Sequence, residues 1–192
     1  MPVRKRIILY KFEELKGKAR ERALAIGHKM FLEDGDDFRE ALTEMFQYEL
    51  NQRGYPSEDI QYSLSNSQGD GMAFYGRFDA VVVAKRLGFE LPFIKDGDTR
   101  TWELQDRNIH YHHYNSMRLV VIDDFVELSR HKREQLVDTI VADVRNVSRE
   151  LEAKGYALIE SIEKEAPTTI ADTFAANGYL FYSNGEVFPS NQ

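Results

Sequence analysis

Three histidines within four positions, His110, His112 and His113, are the side chains of this chain best suited to chemistry. On a β-strand, alternate side chains share a face, which would place the imidazoles of His110 and His112 roughly 7 Å apart and turn His113 to the other face. Two imidazoles at that spacing can share a metal ion or divide the roles of general acid and base. A complete site would need a carboxylate from elsewhere, and Asp70 and Asp79 are the candidates.

Asp70 lies in a glycine-rich segment, Ser67-Gln68-Gly69-Asp70-Gly71, between two stretches that alternate like strands. The Asp-Gly pair predicts a tight hairpin turn, because glycine reaches positive φ without steric cost. We therefore expect a positive φ at Gly71, and Gly69 is a second candidate for that conformation.

Gln68, Asp70, His110 and His112 are the candidate ligand-binding residues, and the last three are also the candidate catalytic residues. Each has a structural explanation as well. Asp70 can hydrogen-bond the backbone of its own turn, Gln68 can bridge the strands, and the histidines can form ordinary hydrogen bonds beside tyrosines. No Gly-Lys-Ser/Thr follows the glycines, as a phosphate-binding loop would require. Neither a metal nor a cofactor is predicted.

The net charge of −7 is unevenly distributed, because residues 1–22 carry +5 and residues 23–192 carry −12. A basic N-terminal element can contact an acidic partner or a phosphate backbone, or form the solvated face of a helix. The acidic remainder disfavours a broad nucleic-acid surface. Cysteine is absent, and no apolar run approaches the roughly 18 residues that span a bilayer. These features predict a cytoplasmic protein that does not enter membranes.

Period-2 alternation predicts the strands that would position the candidate residues. Two hairpins are expected, one over residues 60–78 and one over residues 108–126 with its turn near Asn115. A third hairpin, within residues 179–188, is predicted from Asn184-Gly185. Residues 6–12 are predicted to form a first strand.

Apolar residues at helical spacing predict helices over residues 15–30, 38–50, 80–87, 129–154 and 168–176. The longest begins after the N-cap candidate Ser129 and ends at Gly155. Trp102 is predicted to lie in a polar loop, as a cover over the core or an anchor for a partner. Hairpins in place of βαβ alternation favour the α+β class. We expect a single domain, residues 1–192, with both main hairpins in one antiparallel sheet and helices packed mainly on one face.

Four motifs occur in this order along most of the chain: Phe12-Glu13-Glu14-Leu15 before an Ala- and Lys-rich helix, Ser67-Gln68-Gly69-Asp70-Gly71 with Phe74, His110-Tyr111-His112-His113 ending in Ser116-Met117, and Asn177-Gly178-Tyr179-Leu180-Phe181. Together they resemble a family of small phage and prophage proteins, often labelled antitoxin-like. The chain departs from the family at Leu64-Ser65-Asn66, where relatives are more aromatic and glycine-rich.

The resemblance implies a binding protein from a phage or mobile element that neutralises or modulates a host protein, as an antitoxin-like protein or an inhibitor of host defence. The partner would be a host protein or one encoded by the element, and self-association stays open. The alternative is a small enzyme or ligand-binding protein with its site at the Gln68–Gly71 turn and the His110/His112 strand. That alternative requires the tips of the two hairpins to converge, with His110 and Asp70 within about 10 Å of each other.

Overall fold

The computed structural model describes residues 6–33, 36–65, 69–107 and 111–189. The strands are β1 (Asp59–Ser63), β2 (Gly71–Asp79), β3 (Thr101–Asp106) and β4 (Met117–Val121). The α-helices are α1 (Lys18–His28), α2 (Asp36–Arg53), α3 (Ala80–Arg86) and α4 (Arg130–Ala176). A short 3-10 helix spans Phe12–Glu14, and a π-helical segment, Lys29–Glu33, follows α1. No helix in the described part of the chain is long and apolar enough to cross a membrane.

The strands of the described residues form one antiparallel sheet in the order β1-β2-β3-β4. The predicted α+β class is therefore confirmed, and the two main hairpins do share a sheet. The second hairpin begins earlier than expected, because its first strand is β3 and residues 107–116 are the connection.

Trp102 lies on β3 and not in a loop, so that prediction was wrong. It is the cross-strand partner of Phe78, is 1% exposed, and donates its indole N–H to the carbonyl of Asp123. The strand escaped detection because charged and polar residues surround its two apolar positions, Trp102 and Leu104.

Helices α2 and α4 pack on one face of this sheet. That face carries the buried side chains of Met72, Phe74, Phe78, Trp102 and Leu104, which the strand register places together. Helix α2 reaches it through Phe46, whose ring lies 5.1 Å from that of Tyr62, and α4 through Ser148, whose hydroxyl donates to the carbonyl of Met72. The opposite face exposes polar side chains such as Arg77, Gln105 and Arg118.

Helix α4 replaces two predicted helices, since it continues through both Gly155 and Pro167. Gly155 is not a helix terminator here. A Cβ at that position would lie 2.6 Å from Leu64 Cδ1 and 3.0 Å from Phe46 Cζ, so the glycine permits close packing inside the helix. Ala166 and Ile170, on either side of Pro167, are buried in a core, and this packing outweighs the lost hydrogen bond.

The chain divides into two compact units, one of residues 41–158 and one of residues 1–40 with 159–192. The sheet belongs to the first unit. The second has its own core, which consists of Phe12, Leu15, Ala23, Ala166, Ile170, Phe174 and Phe181. That residues 1–192 form a single domain stays a prediction.

Residues 6–12 do not form the predicted strand. Tyr10 makes an isolated antiparallel bridge with Phe181, with both N–H···O distances 2.9 Å, and Phe181 bridges to Val187 in turn. The predicted third hairpin is thus reduced to single bridges around its turn, in which Gly185 has a φ of +84°.

Gly185→Ala is expected to lower the free energy of unfolding more than Gly178→Ala does. Both glycines have positive φ, so alanine costs about 1–2 kcal/mol of backbone strain at either position. Only at Gly185 would the new Cβ also overlap the backbone of Ala19, while Gly178 has open space. Urea titration followed by circular dichroism measures the difference. Equal losses in the two variants would contradict the described contact.

Candidate functional site

The glycine-rich turn differs from the expected tight hairpin. Ser63 and Gly71 are the last paired residues of β1 and β2, so residues 64–70 form the connection. Gly69 has a φ of +102°, whereas Gly71 is not among the glycines with positive φ, and the prediction for Gly71 was wrong. Its physical role is close approach, because a Cβ there would lie 2.6 Å from His113 Cβ and 2.9 Å from the carbonyl oxygen of His112.

Gly69 is packed in the same way. A Cβ at Gly69 would overlap the ring of Tyr111, whose Cγ would be 3.0 Å away. The turn and the histidine segment, which are some forty residues apart in sequence, therefore lie against each other. Because glycine has no side chain, Gly69 and Gly71 leave room for the loop to pack directly on the backbone of the turn.

The carboxylate of Asp70 is occupied by hydrogen bonds from its own unit. Its Oδ1 accepts from the Ser63 hydroxyl (2.8 Å) and the Ser65 hydroxyl (3.1 Å). Its Oδ2 accepts from the Ser65 backbone N–H (2.6 Å) and from the Tyr156 hydroxyl of α4 (2.7 Å). Asp70 thus fastens the end of β1 to a residue of α4. This geometry supports a structural role for Asp70 over that of a catalytic acid.

His112 lies in a loop and not on a strand. The strand geometry from which the spacing of the His110 and His112 imidazoles was predicted therefore does not apply to His112. Its Nδ1 is 3.4 Å from the hydroxyl of Tyr75, which is 3.0 Å from the hydroxyl of the buried Ser116. The Ser116 hydroxyl also donates to the carbonyl of His113 (2.7 Å). Burial is the main reason that the pKa of Tyr75 is raised. His112 is therefore part of a network that ties the loop to β2.

Gln68 and His110 lie outside the described residues, and their candidate roles stay predictions. Asp79, the other carboxylate considered, caps α3 by accepting from the N–H of Val81 (2.9 Å) and also accepts from the N–H of Arg100 (3.1 Å). Within residues 6–33, 36–65, 69–107 and 111–189, no group of three or more His, Asp or Glu side chains is arranged to hold a metal ion.

Helix α4 adds three residues that the sequence analysis missed: Arg149, Glu152 and Tyr156. Their spacing of three and four positions places them on one helix face, and this was the available signal. The pKa of Glu152 is raised by its partial burial and then by the negative charge of Asp70, against the opposing effect of His113 and Arg149. The Arg149 guanidinium lies 3.9 Å from the centre of the Tyr114 ring.

The loop and α4 together present a surface that we call the Tyr–Arg patch, defined as Tyr111, Tyr114 and Arg149. Tyr111 is 51% exposed, Arg149 is exposed, and Tyr114 is half-buried. Tyrosine and arginine offer large contact areas and several hydrogen-bond donors to a partner. Asp70 and His112 already have intramolecular hydrogen bonds, whereas the side chains of the Tyr–Arg patch reach the surface. The arrangement is therefore better suited to recognition of another molecule than to catalysis by Asp70 and His112.

Asp70→Asn is expected to lower the free energy of unfolding by about 1–3 kcal/mol. Both carboxylate oxygens of Asp70 accept hydrogen bonds, and an amide nitrogen in place of one of them would face donors without being able to accept from them. Tyr156→Phe removes one of these donors and should cost less, about 0.5–1.5 kcal/mol. Chemical denaturation of both variants and of the double variant measures the losses. Unchanged stability of Asp70→Asn would refute the structural role.

Glu152→Gln is expected to stabilise the protein at pH 7. A raised pKa in the folded state means that ionised Glu152 destabilises folding, whereas the protonated form does not. The gain should shrink as the pH falls through the raised pKa toward the ordinary value of 4.5. Thermal unfolding from pH 4 to pH 8 tests this, with Glu160→Gln, at an exposed glutamate of α4, as the matched control. A gain that is independent of pH would contradict the cause given.

Comparisons with known proteins found no match for this chain. No family model, no curated protein and no solved structure matches the chain. The contacts of the described residues are therefore the basis on which function is inferred.

Proposed function

We propose that this chain is a binding protein of a phage or mobile element that neutralises or modulates a host protein by covering part of its surface. It would act in the host cytoplasm, as an antitoxin-like protein or an inhibitor of host defence. The observation that carries the proposal is the Tyr–Arg patch, in which the half-buried Tyr114 stands beside the exposed Arg149 and the exposed Tyr111 lies three positions earlier in the same loop. Tyrosine and arginine are enriched among the residues that dominate the energy of protein interfaces.

The patch is held in place before any partner binds. The ring of Tyr111 rests on Gly69, and that of Tyr114 lies under the guanidinium of Arg149. Ser116 fixes the loop by bonding with Tyr75 and with the His113 carbonyl. Side chains that are already ordered lose less conformational entropy on association, which favours affinity.

Charge indicates the kind of partner surface. Residues 23–192, which include the patch, carry a net charge of −12. A basic surface on the host protein would be steered toward this body, so that electrostatic attraction speeds the encounter and the patch supplies the specific contacts. The resemblance to phage and prophage proteins supports a host protein as the target.

The alternative is a small enzyme or ligand-binding protein, with Asp70, His110 and His112 as catalytic residues and Gln68 among the ligand contacts. One observation favours it. Glu152 has a raised pKa and stands close enough to Asp70 and His113 to interact with both charges. A perturbed carboxyl beside a histidine is typical of acid–base sites. This alternative further requires His110 to approach Asp70.

Capture of partners from host lysate by the immobilised protein tests the proposal. Tyr111→Ala and Arg149→Ala are each expected to reduce retention of a specific partner at least tenfold, because each removes a patch side chain. Tyr48→Ala, which truncates a tyrosine 65% exposed on α2, is the matched control and should retain the partner. Retention that is equal in all variants would refute the patch. Turnover of a nucleotide or nucleic acid without any partner would favour the enzyme.

A further inference from the structure

Three arginines lie around one small cavity in the unit of residues 41–158. The cavity is lined by Arg107, Tyr114 and Arg145 and by apolar side chains of β3, β4 and α4. Arg149 joins them through Tyr114, because its guanidinium lies 3.9 Å from the centre of the Tyr114 ring. We call Arg107, Arg145 and Arg149 the arginine cluster. Arg107 and Arg149 are exposed and Arg145 is half-buried, so solvent reaches the cluster.

Helical spacing and strand pairing bring the three arginines together. Arg145 and Arg149 are four positions apart, which places them on one face of α4. Arg107 directly follows β3, and its N–H donates to the carbonyl of Ser116 (2.9 Å), the residue before β4. The cluster therefore lies where α4 meets the end of β3 and the beginning of β4.

In the described part of the chain, the arginine cluster has no carboxylate partner at ion-pair distance. Other arginines of the same unit have one, namely Arg53, Arg86, Arg100 and Arg133. Glu152 interacts with the charge of Arg149 but forms no ion pair with it. Like charges four positions apart on a helix, such as those of Arg145 and Arg149, repel each other. The cluster therefore carries positive charge that an anion from outside the chain would neutralise.

We propose that the arginine cluster binds a phosphoryl group. Guanidinium groups are planar and permanently charged, and each can donate two parallel hydrogen bonds to phosphate oxygens. A phosphate monoester carries close to two negative charges at pH 7, so it matches several arginines better than a single carboxylate does. The apolar walls of the cavity strengthen this attraction, because walls of low dielectric constant focus the field of the charges.

The size of the cavity indicates how much of the ligand enters it. Its volume is about 30 Å³, which leaves room for one small group and not for a nucleobase. The phosphoryl group therefore lies among the guanidinium groups, while the rest of the ligand stays outside. This site goes beyond the proposed binding of a host protein, which does not involve Arg107 or Arg145.

Thermal unfolding in sodium phosphate, compared with sodium chloride at pH 7 and equal ionic strength, tests the site. Phosphate is expected to raise the melting temperature with concentration, because a ligand that binds only the folded state stabilises it. The apparent affinity should fall at least tenfold in Arg107→Gln and in Arg145→Gln, since each removes charged hydrogen-bond donors. Arg118→Gln, at an exposed arginine on the opposite face of the sheet, is the matched control and should bind phosphate normally.

Two results would overturn the proposal. One is a melting temperature that phosphate raises no more than chloride does. The other is an affinity for phosphate that is equal in Arg107→Gln, Arg145→Gln and Arg118→Gln. Cooperative unfolding in chloride shows that a variant is folded, and if Arg145→Gln is not, the comparison of Arg107→Gln with Arg118→Gln decides.

The source of the phosphoryl group is tested by calorimetry with a phosphoserine peptide, its unphosphorylated form and inorganic phosphate. Binding of the phosphopeptide at least tenfold tighter than that of inorganic phosphate would assign the group to a protein side chain. Equal affinities for these two probes would assign it to a small phosphate ester. Binding of the unphosphorylated peptide as tight as that of the phosphopeptide would contradict recognition of a phosphoryl group.

Discussion

The close approach of two chain segments at Gly69 and Gly71 is the contact on which the candidate site depends. Neither position has room for a Cβ, since Tyr111 covers the first and the backbone of His112 and His113 covers the second. Once the loop is seated there, Ser116 can bond to Tyr75, and Tyr114 can receive the guanidinium of Arg149. The absence of side chains at these two glycines therefore lets the loop pack closely on the turn, and of the two only Gly69 has a positive φ.

Hydrogen bonds within the protein engage Asp70 and His112, the two described residues that the sequence marked as catalytic candidates. Asp70 receives two serine hydroxyls, a backbone N–H and a tyrosine hydroxyl, while His112 lies beside Tyr75. A carboxylate with such partners is well suited to fixing the turn. The same contacts leave tyrosine and arginine side chains at the surface, where they favour recognition of another molecule.

Local pattern predicted the α+β class, the shared sheet and the bounds of α2 and α3 closely, because those elements combine regular spacing with clear ends. It failed where a distant contact decides the outcome. The sequence around Gly155 indicates a helix end, but Leu64 and Phe46 pack against this glycine inside α4. The polar residues around Trp102 indicate a loop, but Trp102 pairs with Phe78 of β2. Glu152 was missed for a similar reason, since the environment of a helical carboxyl depends on Asp70, which is far away in sequence.

The division of the chain sets an order of events during synthesis. The unit of residues 41–158 is continuous in sequence, so it can be completed while the chain is still being made. The other unit joins the first residues to the last, because Phe12 and Leu15 share a core with Phe174 and Phe181. Phe12 and Leu15 thus emerge from the ribosome before residues 41–158 and are covered only after Phe174 and Phe181 have been made. In the interval they are exposed to chaperones and to aggregation.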